Sequence, residues 1–260
     1  MSQDVFDAFF LKHLSASSIN KWTGDRGAWV AHYVYGVQGE VGPAAWRGRA
    51  VEDGLTAHVS GANVDPLEHA LESFEFDAQG DLEKDVEKER QLIAPMLEQA
   101  ITAWTENGLN RPVTQQIRVE TWLNQVAVPL VGYVDYVMDG HCLDLKTTKA
   151  LPSTPRHDHV LQAAGYAHAR REKTASILYV TGKKRALYEI DSRQIRAAIE
   201  DLTRRAQGLQ NTLAAAWISA GGDSVNARRR LAEMCPPNLD SFYWSPKAFL
   251  DAQSQIAAWQ

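Results

Sequence analysis

The sequence predicts an α/β fold: a mixed central β-sheet flanked by helices, with helical additions at its N- and C-terminal ends. Three observations predict it. Helical periods occupy the chain before residue 107 and after residue 192. Between them, short runs rich in β-branched and aromatic residues are joined by Asp139-Gly140, a strong hairpin signal. A further helical stretch separates that meander from two more strands, the order expected when helices pack on a mixed sheet.

The elements follow in order. Ser15 or Ser17 caps a helix running through Ile19, Trp22 and Trp29. Pro43 suits the first turn of another helix, in which Val51, Leu55 and Val59 recur at a spacing of four. Residues 80–107 carry Leu82, Val86, Ile93, Leu97, Ile101 and Trp104 at helical spacing, with a kink expected at Pro95. Ile117, Val119 and Thr121 then alternate with polar neighbours, as in a strand. The runs VAVPLVGYVDYVMD and HCLDLKTT complete a three-strand meander. After a loop with Pro152 and Pro155 come a helix at 158–171, strands at SILYVTG and RALYEI, and a long helix at 192–219. A loop with Pro236, Pro237 and Pro246 leads to a C-terminal helix. The Trp-rich helices read as core and not as base-stacking platforms.

The 260 residues suit a single domain, 1–260, with a core at about 40–190 and a helical extension at 191–260. No basic segment followed by an apolar run suggests a signal peptide, and no stretch approaches a membrane span. Cys142 and Cys235 are too few for a disulfide framework or a four-thiolate site, so a cytoplasmic protein without an iron–sulfur cluster is expected. The net charge is −5 but unevenly spread. Residues 1–140 hold 10 Lys and Arg against 21 Asp and Glu, whereas residues 141–230 hold 16 against 8. That is either a set of solvated helix faces or a local positive surface of the kind that phosphates require.

The chemistry concentrates in LDLKTT. Residues two apart on a strand share a face, so Asp144 and Lys146 point one way while Leu143 and Leu145 point the other. This is an ion pair on a solvated sheet or part of a site. The preceding strand bears on the choice. Across a hairpin centred on Asp139-Gly140, Val137 opposes Cys142 and Asp135 opposes Asp144. Directly opposed Cβ atoms lie about 4.5–5.5 Å apart. Two carboxylates that close repel unless a cation lies between them, and a hard cation such as Mg²⁺ takes carboxylate and carbonyl oxygens. Lys146 would then stand beside the metal, placed to position or deprotonate a water or to neutralise a phosphate.

GYVDYV followed by LDLKTT resembles motifs two and three of the PD-(D/E)XK nucleases, particularly the branch of the RecB nuclease domain and phage-type exonucleases. RGRAVEDGL, with Gly48 and Glu52, resembles the first motif, with Glu where the RecB form has His. HVLQAAGYAHA, with Gln162 and Tyr166 on one helix face, resembles the Q-x-x-x-Y helix, and SASSINKWTGDRGAW resembles the N-terminal helix. The resemblance spans roughly residues 14–190 and implies a restriction-endonuclease-like core. It implies that Glu52, Asp135, Asp144 and the Leu145 carbonyl hold Mg²⁺, with Mn²⁺ as a substitute. It gives Lys146 the role of catalytic lysine and makes Gln162 and Tyr166 organisers of the site. Without it, Glu52 reads as a solvated helix carboxylate, and Gln162 and Tyr166 as a half-buried pair.

The expected function is thus metal-dependent DNA hydrolysis, exonucleolytic more than endonucleolytic, in recombination, repair or phage DNA processing. Arg47, Arg49, Lys149, Arg156, Arg170 and Arg171 are the candidate DNA contacts. A helicase, a single-strand-binding or a recombination protein would be a fitting partner. The alternatives are a structure-specific endonuclease, a non-catalytic DNA-binding protein on the same fold, and a phosphoesterase of small molecules or RNA. His157 and His159, straddling Asp158 in a loop before the Gln162 helix, read as capping or surface groups.

Overall fold

The computed structural model describes residues 4–37, 41–79, 84–109, 112, 114–241 and 243–259. The helices are α1 (Asp4–Asp7), α2 (Ala16–Gly24), α3 (Arg26–Tyr33), α4 (Pro43–Ser60), α5 (Pro66–Ala78), α6 (Lys84–Gln91), α7 (Ile93–Glu106), α8 (His157–Arg170), α9 (Ser192–Ser219), α10 (Ser224–Met234) and α11 (Pro246–Gln255). The strands are β1 (Thr114–Thr121), β2 (Leu130–Met138), β3 (His141–Thr147), β4 (Thr174–Val180) and β5 (Arg185–Ile190). They form one mixed sheet in the order β1-β2-β3-β4-β5. The expected α/β layering is therefore the observed one. β2 and β3 are antiparallel, β3 and β4 parallel, and β4 and β5 antiparallel. The parallel step needs a crossover, which α8 supplies.

The chain divides into two compact units: residues 41–119 with 133–195, and residues 1–40 with 120–132 and 196–260. In the first, Val51, Leu55 and Val59 of α4 are buried with Leu97 and Trp104 of α7 and with Tyr136, Leu143, Leu145, Leu178 and Val180 of the sheet. Pro43 opens α4 as expected, since the first helical turn has no use for its missing N–H. The segment read as one helix over 80–107 is two, parted at Leu92. Pro95 sits in the first turn of α7 and cannot donate back to Gln91, so the helix breaks just before it. The start of that segment, with Leu82, lies outside the described residues.

α5 was not expected. Asp65 caps it through the N–H groups of Leu67 and Glu68, Pro66 is its first residue, and Ala70, Phe74 and Ala78 bury one face at a spacing of four. It passes so close to α4 that a Cβ on Gly54 would stand 2.7 Å from the Pro66 carbonyl oxygen and 2.9 Å from Ala70 Cβ, with Leu97 Cδ2 of α7 also at 2.9 Å. Gly54→Ala should cost about 1–3 kcal/mol in overpacking, against up to about 1 kcal/mol gained in helix propensity. Thermal unfolding should show a Tm lower by a few degrees; an unchanged or higher Tm would mean that α4 and α5 can part freely.

In the second unit Ser15, and not Ser17, caps α2, in a reciprocal pair with Ser18. The expected single helix through Trp29 is again two. Asp25 leaves helical geometry, accepts the Ala28 N–H at 2.9 Å to start α3, and accepts Trp244 Nε1 at 2.8 Å. Trp22 and Trp29 are buried edge to face, their ring centroids 5.3 Å apart, as core residues. α9 spans its expected range. α10 follows it unannounced, capped by Asp223, with Ala227 and Leu231 inward.

Candidate active site

Asp144 and Lys146 share the face of β3 that α8 covers, while Leu143 and Leu145 enter the core on the other face. Cys142, Leu143, Asp144 and Leu145 are all buried, so β3 is covered on both sides. That removes the solvated-sheet reading, because Asp144 is only 1% exposed. Lys146 Nζ lies 2.9 Å from Asp144 Oδ1 in hydrogen-bonding geometry and 2.7 Å from Oδ2. The second contact is electrostatic only, and Oδ2 is buried without a hydrogen-bond donor.

The hairpin has the expected register, with Val137 opposite Cys142 and Tyr136 opposite Leu143. The paired register ends there, one step short of Asp135 and Asp144, and Asp144 acts electrostatically on Asp135. The Leu145 N–H turns to the Asp135 side chain, donating to Oδ2 at 2.8 Å. Glu52 reaches the same place from α4. The Tyr136 hydroxyl lies 3.1 Å from the Glu52 carbonyl oxygen and 3.1 Å from Thr56 Oγ1, which ties α4 to β2 at this turn. The Gln116 amide donates to the Glu52 carboxylate. Gln116 has φ +48°, a left-handed conformation that a residue with a Cβ adopts at some cost. No motif in the sequence marks it. Its only signal is this geometry.

The charges act on one another. Burial pushes the Glu52 carboxyl up to about 7, helped by Asp53 and Asp144 and opposed by Lys146 and Arg49. Burial, then Asp144 and Glu52, push Asp135 well above the usual carboxylate range. Burial works to lower Lys146, but the carboxylates of Asp144, Asp135 and Glu52 outweigh it and hold the ammonium above its ordinary value. Gln162 donates to the Tyr166 hydroxyl at 2.6 Å, and Tyr166 is pushed up by burial and then by Asp144. The six acid, lysine, glutamine and tyrosine positions singled out from the sequence thus belong to one electrostatic neighbourhood.

The basic candidates do not stay together. Arg49 is exposed and pairs with Asp77, while Lys149 and Arg156 are exposed on the loop after β3. Arg47 corrects the expectation of a DNA contact. It is buried, bound to Glu89, and 3.3 Å from Thr147 Oγ1. Lys149 joins it on Glu89 at 2.9 Å, so this carboxylate links α4, α6 and the end of β3. Arg170 is half-buried and pairs with Glu172, and Arg171 ends α8 in a left-handed turn. The 14 residues of α8 carry these two arginines ~20 Å from Arg156, so they do not form one wall with it.

Three carboxylates, a buried unpartnered carboxylate oxygen and a nearby strand carbonyl are the donor set of a hard divalent cation. Among the described residues no three such side chains converge on one point. Each acid instead has its own partner: Gln116, the Leu145 N–H or Lys146. The donor types fit such an ion, but their present placement does not surround one point. A stability test follows from Glu52. Its folded pKa of about 7 is raised above the ordinary 4.5, so its contribution is fully present below pH 4.5 and is lost as pH rises through 7. Metal-free protein should be less stable at pH 8 than at pH 5, by up to about 3 kcal/mol from this group. Urea unfolding of wild type beside Glu52→Gln reads it. Parallel pH curves for the two proteins would rule it out.

No protein-family model matches the chain, and no curated protein matches it. Its fold is shared with solved structures. One is a protein named "Putative exonuclease" from Eubacterium rectale, at TM-score 0.54 and 14% identity over 80% of this chain and 84% of that one. At that identity the likeness shows a shared fold and nothing of the neighbour's activity. A second, SSO0001, gives a TM-score of 0.36 at 16% identity over 65% of this chain and 89% of that one, too distant to carry weight.

Proposed function

We propose that this protein is a divalent-metal-dependent DNA nuclease of the PD-(D/E)XK type, an exonuclease acting on linear DNA in recombination, repair or phage DNA processing. The observation that supports it most is the buried Asp144–Lys146 pair beside Asp135 of the β2–β3 hairpin, with Glu52 arriving from α4. Burial and the neighbouring carboxylates hold both Glu52 and Asp135 above the usual range, and acids crowded in this way are costly unless a cation is part of the design.

Asp135, Asp144, the Leu145 carbonyl and Glu52 would hold Mg²⁺, with Mn²⁺ as substitute. Such an ion lowers the pKa of bound water and polarises the scissile phosphate. Lys146, held as an ammonium, offsets the charge that develops on the attacked phosphate. Gln162 steadies the Tyr166 hydroxyl, whose own proton can be donated toward the carboxylates or the DNA. Arg49, Lys149 and Arg156 are the exposed cations from which phosphate contacts would come. The two free cysteines are buried, as suits a cytoplasmic enzyme, and no described helix is long and apolar enough to cross a membrane. DNA is the partner, with a helicase, single-strand-binding or recombination protein as companion.

The test compares a supercoiled plasmid with its linear form at equal salt, with Mg²⁺, Mn²⁺, Ca²⁺ or EDTA. Linear DNA should disappear with Mg²⁺ or Mn²⁺, and circles should survive. Ca²⁺, being larger and looser in geometry, should support binding without cutting. Equal loss of circles would make the enzyme an endonuclease. Undiminished cutting in excess EDTA would remove the metal mechanism.

A further inference from the structure

His159 lies outside every role given so far. It is in the first turn of α8, not in the loop before it, and its side chain is only 16% exposed. Its ring packs on that of Tyr179, centroids 5.5 Å apart, with Nδ1 2.7 Å from the Tyr179 hydroxyl. Tyr179 is the β4 partner of Lys146 in the parallel register, so the two side chains are neighbours on the face that holds Asp144. His159 thus stands on α8 over the strand next to Lys146. Lys146 and Asp144 both act electrostatically on its ring, along with Asp158 and Arg156.

The hydrogen bonds select one tautomer. The fully buried Tyr179 hydroxyl accepts the Arg156 N–H at 3.1 Å. If it also accepted from His159 Nδ1–H, its own proton would be left without the bond that a buried hydroxyl needs. The economical arrangement has Tyr179 donating to Nδ1, which puts the ring proton on Nε2. Burial, and then the Lys146 ammonium, keep the imidazole below its ordinary pKa, hence neutral. Nε2 is 3.8 Å from the Asp158 carboxylate, beyond hydrogen-bond reach. The ring is oriented by one nitrogen and presents a donor with the other.

We propose that His159 is a further substrate-contacting residue of this site, its Nε2–H donating to a phosphate oxygen of the bound DNA strand beside the one that Lys146 serves. This rests on the nuclease reading. The contact forms in ground state and transition state alike, so losing it raises KM and leaves kcat nearly unchanged.

Two amide substitutions separate contact from scaffolding. His159→Gln places an amide N–H near the Nε2 position, whereas His159→Asn places its amide near Nδ1 and keeps only the Tyr179 partner. Binding to a short duplex with Ca²⁺, and KM and kcat with Mg²⁺, are measured for both and for His159→Ala. His159→Ala and His159→Asn should bind roughly ten- to a hundredfold more weakly, as for one lost hydrogen bond to a charged group, and His159→Gln should recover most of it. Recovery by His159→Asn and not by His159→Gln would overturn the proposal in favour of a structural role through Tyr179. Wild-type binding by all three would also overturn it. Nitrogen chemical shifts of the unsubstituted protein should show the proton on Nε2; a proton on Nδ1 would refute the tautomer. If wild-type protein neither binds nor cuts DNA, the nuclease reading itself fails, a result distinct from an active enzyme indifferent to His159.

Discussion

Asp144→Asn should lower DNA cleavage at least about a thousandfold while the protein stays folded. The substitution keeps the size of the side chain and removes one charged ligand from a site whose ion is asked to supply several kcal/mol of transition-state stabilisation, each 1.4 kcal/mol being a factor of ten. Stability is pulled two ways. Lys146 loses its closest carboxylate, at 2.7–2.9 Å, but keeps Asp135 and Glu52 nearby. Asp135 and Glu52 in turn lose a neighbour that raises both. The net change in metal-free stability should therefore be within about 1 kcal/mol, far below the 3–5 kcal/mol of an isolated buried pair that is broken. Asp53→Asn is the control. Asp53 also raises Glu52, but its carboxylate is bound to Ser73 and it is no ligand in the scheme. It should cleave within about threefold of wild type and shift only the pH curve of stability. Cleavage rates with Mg²⁺, calorimetric Mn²⁺ binding and urea unfolding give the three readouts. Normal turnover by a folded Asp144→Asn variant would place the chemistry elsewhere.

What the sequence could show of this site depended on distance along the chain. Asp135, Asp144 and Lys146 lie on two strands joined by a two-residue turn, so alternation and hairpin register suffice to bring them together. Gln162 and Tyr166 share a helix face by spacing alone. Burial was harder to read. That α8 covers Asp144 follows from the crossover between β3 and β4, and a strand's own pattern carries no trace of what lies over its second face. Gln116 was invisible because its contact with Glu52 depends on a left-handed residue within β1 and on how α4 packs, 64 residues away. Arg47 was misread for the same reason. Beside a motif it resembles a phosphate ligand, but its partner Glu89 comes from another helix 42 residues on.

The missed helices are a different case, since their signals were present. Asp65-Pro66 ahead of Ala70, Phe74 and Ala78 is a cap, a first-turn proline and an apolar face. Asp25 is likewise a cap, placed where a continuous apolar period hides the break. Arg170 and Arg171 show the limit of charge counting. They belong to the basic stretch of the sequence, yet α8 carries them away from the loop that holds Lys149 and Arg156.

Lys146→Met should cut kcat by about 10²–10³-fold with little change in KM, and should make the metal-free protein strongly dependent on pH. The kinetic part follows from the charge state. Burial alone would favour a neutral amine able to act as a base, but the surrounding carboxylates hold Lys146 protonated. Its work is then to meet charge that develops on the phosphate, an interaction realised in the transition state and so expressed in kcat. Lys146→Arg, which keeps the cation in another shape, should retain part of the activity. The stability part follows from what Met leaves behind. Asp144, Asp135 and Glu52 lose the lysine that lowers the latter two, which leaves the carboxylate repulsion opposed only by Arg49 at Glu52 and the Leu145 N–H at Asp135. At pH 8 the metal-free variant should be about 3–5 kcal/mol less stable than wild type, as when one partner of a buried pair is removed. At pH 5, where protons replace the missing cation, most of that gap should close. Added Mg²⁺ should close it at pH 8 as well, by binding the folded form only. Urea unfolding at both pH values, with and without Mg²⁺, distinguishes the possibilities. A variant that unfolds like wild type under all four conditions would mean that Lys146 does not balance these acids. A raised KM with unchanged kcat would make Lys146 a phosphate clamp and leave the rate acceleration to the metal and its water.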